Sequence, residues 1–135
     1  IKYETYTKVI NIESRSMIDI ASKHIIPAVI KYITALATSI NQVRQASSAV
    51  TVEVQEELLK KSSELLTETR NALKKLEEVT AQVEHVQPIH DKAFFFREQI
   101  VPAMEALRKP VDELEMIVDK NMWPMPSYGD LLFEV

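Results

Sequence analysis

Three histidines and twenty carboxylates are the side chains of this chain that carry acid–base or metal-binding chemistry. His85, His90 and Asp91 gather around Pro88, near enough to begin a metal site. No second cluster offers the remaining ligands at a diagnostic spacing. His24 stands apart from them. Most carboxylates fall on outward positions of periodic segments, beside Lys and Arg, which is the pattern of a solvated helix face rather than of a paired acid and base. There is no His-Glu-x-x-His motif and no recognisable Ser/His/Asp arrangement. A single Gly cannot supply a Gly-rich phosphate loop, and the lack of Cys excludes disulfides and thiolate metal sites. These residues are not spaced for catalysis, so the elements that carry them hold the information.

Length and composition bound those elements. The chain has 135 residues, enough for one modest core, with 46% apolar and 27% charged residues, as in soluble globular proteins. One Gly leaves few positions for tight turns and hairpins, which favours helices with few connections. A net charge of −4 argues against nucleic acid as a partner. The basic residues Lys2, Lys8, Arg15, Lys23, Lys31 and Arg44 are scattered rather than gathered in a patch. No uninterrupted apolar run reaches the roughly 18 residues of a membrane span, and no signal-peptide pattern appears. The absence of Cys fits a reducing compartment, and a cytoplasmic location is expected. The first residue is Ile rather than Met, so the chain is expected to be a piece of a longer protein.

Three long segments carry helical periodicity, at about 7–46, 52–86 and 89–122. The first has two adjacent apolar stripes. One is Ile25, Val29, Tyr32, Leu36 and Val43; the other is Ile26, Ile30, Ile33, Ala37 and Ile40. This face is wider than one helix–helix contact needs, so additional partners are expected to cover it. The second segment places Leu58, Ser62, Leu65, Thr69, Ala72, Leu76, Val79, Val83 and Val86 in alternating steps of four and three. Leu59, Leu66 and Leu73 flank that stripe, as on a bundle helix. Glu56–Lys60 and Glu57–Lys61 stand at i,i+4 on its back. The third segment aligns Ala93, Phe96, Ile100, Ala103, Leu107, Val111, Leu114 and Val118. Within it Phe94, Phe95 and Phe96 point to three faces, so at least one ring leaves the core.

The connections "QASSAVT" and "HVQPIHD" are short, which makes sequential helices antiparallel neighbours. Pro27 and Pro102 lie inside the first and third segments, in the similar stretches "IIPAV" and "IVPAM". The apolar phase continues across both, so they are expected to kink the helices rather than end them. The expected fold is all-α: an up–down–up bundle of three long, proline-kinked antiparallel helices with an extended C-terminal tail, forming a single domain over 1–135. The tail, "WPMPSYGDLLFEV", is punctuated by Pro124 and Pro126 and ends apolar. It is expected to act as a clasp, with Trp123 ending the third helix and Tyr128 to Phe133 lying back along a groove. A stand-alone helical-bundle interaction module is the alternative that these residues leave open.

Some stretches go beyond periodicity. "NIESRSMIDIASKHIIPAVIKY" and "FFFREQIVPAMEALRKPVDELEMIVDKNMWPMPSYGDLLF" resemble the C-terminal helical region of type III glutamine synthetases. The segment from Val111 to Phe133 is the most specific part of that resemblance. It implies a parent enzyme that joins ammonia to glutamate with ATP and a divalent metal (Mg or Mn), in glutamine biosynthesis and nitrogen metabolism. It also implies that the catalytic, cofactor and metal residues lie in an upstream catalytic domain, so none is assigned here and the fragment itself is expected to be inactive. The implied partners are that catalytic domain and neighbouring subunits of a homo-oligomer, with no nucleic acid or membrane. Ile26, Ile30, Ile33, Phe94, Phe95, Trp123, Tyr128, Leu131, Leu132 and Phe133 are the expected docking residues. Truncation after Met122 should lower the melting temperature or weaken assembly, as read by thermal unfolding and particle mass; if neither changes, the tail is no clasp.

Overall fold

The structure, a computed structural model, describes residues 2–125 and is all-helical among them. Three rods run through five α-helices. The first rod joins α1 (Tyr3–Ile20) to α2 (Ile26–Ala46) through a π turn at Ala21–Ile25. The second is α3 (Glu53–Gln82), closed by a 3₁₀ turn at Val83–His85. The third joins α4 (Ile89–Phe95) to α5 (Val101–Ile117) through a second π turn at Phe96–Ile100. Ion pairs mark the directions. Arg44 meets Glu56 at 2.7 Å near the first connection, while Arg15 meets Glu84 at 3.5 Å near the opposite end of α3. Lys61 of α3 reaches Glu113 of α5 at 3.9 Å, so α3 runs antiparallel to both neighbours. Glu56 and Lys61 thus pair across helices instead of along the back of α3.

The helices begin and end a few residues from their expected bounds, for local reasons. α1 starts at Tyr3, earlier than position 7. α3 starts after Thr51, whose hydroxyl accepts the Glu53 N–H at 3.1 Å and so satisfies one of the free donors of the first turn. α5 ends at Ile117, not at 122. Val118 is extended, and Asp119 builds a turn by accepting the Met122 and Trp123 N–H groups at its carbonyl (2.9 and 3.0 Å) and the Asn121 N–H at its carboxylate (2.8 Å). Trp123 therefore follows a turn and does not terminate the helix.

Both interior prolines are absorbed by π turns. A proline lacks the N–H for the regular ladder, and its ring crowds the carbonyl four residues earlier. Just before Pro27 the Ile26 N–H donates five residues back, to Ala21; just before Pro102 the Val101 N–H donates five back, to Phe96. The wider turn admits the ring while the rod continues. In the first turn the Ser22 hydroxyl also donates to the Ile18 carbonyl at 2.7 Å. The similarity of "IIPAV" and "IVPAM" is thus a shared local geometry, with the proline second in the following α-helix. Pro110, fully buried, sits inside α5.

Two apolar clusters hold the rods together. One gathers Ala21, Leu73, Leu76, Val79, Val83, Phe96, Ile100, Ala103, Met104 and Leu107. The other gathers Ile25, Val29, Tyr32, Leu36, Leu65, Leu114 and Val118. The stripes expected on the second and third segments supply most of the first cluster, and the first stripe of the broad face supplies Ile25, Val29, Tyr32 and Leu36 to the other. α1 contributes differently: it buries Thr7 and Ser14, followed at the same seven-residue spacing by Ala21 in the π turn and Ala28 in α2, while Val9 and Ile12 face outward. The Thr7 and Ser14 hydroxyls donate to the carbonyls of Glu4 and Asn11 at 3.1 and 3.0 Å. Small residues with satisfied hydroxyls let the backbones approach closely. Thr69 in α3 does the same toward Leu65 at 2.8 Å, whereas the buried Ser62 and Thr80 hydroxyls have no partner among the described residues.

Leu73 is fully buried, so Leu73→Ala should cost about 2–5 kcal/mol in urea unfolding. Ser62→Ala should be neutral or stabilising, because it removes an unpaired buried hydroxyl. Tyr32 offers a pH test. Burial, and secondarily the Asp119 charge, raise its phenol above the ordinary value of 10.0. The folded state then holds the proton more tightly, so this contribution is intact below the unfolded pKa and is lost as pH rises through the folded one. Tyr32→Phe should flatten the decline in unfolding free energy between about pH 9 and pH 11 relative to the parent chain.

Candidate functional site

No constellation of reactive groups forms among the described residues. His90 Nε2 lies 3.0 Å from Asp91 Oδ1, with both side chains more than half exposed. His85 and His24 are exposed on other segments, and among the described residues no three His, Asp or Glu side chains converge as a metal would require. Lys23 and Asp19 pair at 2.8 Å on the surface; their hydrogen bond raises the lysine and lowers the carboxyl from their ordinary values. What the fold presents instead is apolar surface.

The expected docking residues fall in three places. On α2, Ile30 is 49% exposed, while Ile26 and Ile33 are half-buried against the two clusters. The first stripe of the broad face is thus consumed by the bundle, and the second is left partly uncovered. At the start of the third rod the three phenylalanines separate as their spacing requires. Phe96 is buried, Phe95 packs partly on the core, and Phe94 is 57% exposed beneath the Arg97 guanidinium, 5.3 Å from the ring centre. Tyr3 and Tyr6 of α1 line a depression with Phe94 and Arg97. Trp123, past the turn at Asp119, is half-buried against the cluster that contains Ile25 and Leu114. Tyr128, Leu131, Leu132 and Phe133 lie outside the described residues.

Other exposed apolar residues escaped the sequence reading. Val9 and Ile12 occupy the outer side of α1, and Met116 of α5 is 84% exposed. Single apolar residues on helix backs carry no periodic signal that could have singled them out. The continuous helix Tyr3–Ala46 also contains an 18-residue window of mean hydropathy 1.2, long and apolar enough to cross a membrane by length and composition. A third of that window is buried inside the bundle, and a core helix passes the same test.

Comparison with known proteins agrees with the resemblance. Residues 1–44 match the model of the glutamine synthetase C-terminal domain. The chain is 31% identical over 137 aligned positions to a glutamine synthetase of Bacteroides fragilis (strain YCH46) and 30% identical over 137 to a type-3 glutamine synthetase of Dictyostelium discoideum. A glutamine synthetase of Butyrivibrio fibrisolvens is 27% identical over 132. Each alignment covers 98% of this chain but only 19% of the relative, so the chain spans about a fifth of the proteins that it matches. A family match over the first rod and end-to-end similarity to these relatives identify the chain as a C-terminal domain of the type III glutamine synthetase family.

Proposed function

We propose that this chain is the accessory C-terminal part of a cytoplasmic enzyme that makes glutamine from glutamate, ammonia and ATP, and that it serves assembly rather than chemistry. The whole enzyme's activity is inferred from relatives about five times as long, each named a glutamine synthetase. ATP and the divalent metal are assigned to the rest of that enzyme, as the resemblance to glutamine synthetases implies. The observation that carries the structural role is the second apolar stripe of α2. Ile30 is half exposed between half-buried Ile26 and Ile33, and Leu59 and Leu66 of α3 are also half-buried.

Such a stripe fits an apolar surface of the catalytic domain or of a neighbouring subunit in a homo-oligomer. Phe94 and Phe95, at the other end of the bundle, form a second contact region of the same kind. Burying Ile30 and its neighbours would contribute about 25 cal/mol per Å² of apolar area removed from water.

Ile30→Lys is the discriminating variant, because Ile30 makes the least contribution to the bundle core, whereas Ile33 packs on it. In the full-length enzyme, Ile30→Lys should reduce particle mass or glutamine synthesis while leaving helicity by circular dichroism intact. An unchanged oligomer with full activity would rule out this face as an assembly surface.

A further inference from the structure

We propose that the cleft between α1 and α4, at the end of the bundle where α3 stops, is a binding site for a small organic dianion. Glu4, Lys8, Asn11 and Arg15 step by four, three and four along one edge of α1, beside the buried Thr7 and Ser14. That polar edge forms one wall of the cleft. Lys92 of α4 and Glu84 of the 3₁₀ turn stand on the other wall, and Val83, Ile89 and Phe96 supply an apolar floor. The volume between them is about 340 Å³. A cavity of about 150 Å³ holds a benzene ring, so a short carbon skeleton with an anionic group at each end has room here.

The charges decide what the cleft would take. Arg15 is already committed: its Nε donates to Asn11 Oδ1 at 3.1 Å and its Nη2 to Glu84 Oε1 at 3.5 Å. Glu84 is thereby compensated. Asn11, with its oxygen turned to the guanidinium, keeps its amide N–H groups as donors. Lys8 and Lys92 form no ion pair among the described residues. Two such ammonium groups on opposite walls, over an apolar floor, match a ligand that is anionic at both ends and apolar between them. Carboxylate and phosphate share this chemistry, since each accepts charge-assisted hydrogen bonds from ammonium and amide donors.

Glu4 lines the same cleft and, among the described residues, has no cation paired with it. Its carboxylate opposes a dianion, so the lining contains groups whose removal should act in opposite directions. The periodic segments could not show this site, because Lys92 joins Lys8 and Arg15 only when α4 packs on α1. It uses neither the second stripe of α2 nor Phe94, and so does not rest on the assembly reading.

The test is an NMR titration of the isotope-labelled 135-residue chain at constant ionic strength. Succinate is the dicarboxylate probe and glycerol phosphate the phosphate probe. At least one should give saturable shifts confined to 4–15, 83–84 and 89–96, and the stronger of the two tells a carboxylate ligand from a phosphate one. Lys8→Gln or Lys92→Gln should weaken that binding about tenfold with helicity unchanged, as expected for loss of one charged hydrogen bond. Glu4→Gln should tighten it. Saturation elsewhere, no saturation with either probe, inorganic phosphate binding as tightly as both, or weaker binding in Glu4→Gln would overturn the site. The titration of the unsubstituted chain decides the matter where a variant fails to fold.

Discussion

One strip of α3 joins the two apolar clusters. Leu65 belongs to one, and Leu73, Leu76, Val79 and Val83 belong to the other, so a single helix face binds both outer rods along its length. Each such side chain, fully buried, contributes about 1.5–3 kcal/mol. That strip sets the arrangement of the rest: α2 and α5 are held chiefly through α3, while α1 and α4 pack on one another at the far end. Surface ion pairs such as Arg44–Glu56 only align the rods, because side chains that are half exposed gain little from pairing.

Around that strip the chain accommodates three prolines without surrendering its helices. Two π turns spend an extra residue each to clear the rings of Pro27 and Pro102. Both prolines follow buried isoleucines, Ile25 and Ile100, and precede buried alanines, Ala28 and Ala103. Across the first π turn the buried line continues, from Thr7 and Ser14 of α1 to Val29 and Leu36 of α2.

The exposed apolar surface follows from the same packing. A three-rod bundle uses one side of α2 and leaves the next stripe half open, and it uses one of three successive phenylalanines. The polar groups that might have made a reactive site are paired singly on the surface or dispersed between segments. Among the described residues the bundle therefore presents shape and apolar area.

By itself the sequence determined the helical class, the three periodic segments, the inward leucines and valines of α3, and the departure of one phenylalanine from the core. Each of these follows from a spacing that only a helix satisfies. Its quoted stretches also carried the family likeness. Tertiary structure decided which stripe of α2 the bundle would cover, the burial of Thr7 and Ser14 in place of Val9 and Ile12, and the π turns at the prolines. It also ended α5 at Ile117 and turned Trp123 back onto the bundle. The physical reason is that periodicity reports which residues share a face, whereas the covering of a face depends on how closely a distant helix approaches. Small hydroxyl residues permit that approach, and Thr7, Ser14 and Thr69 donate their protons to carbonyls three or four residues earlier.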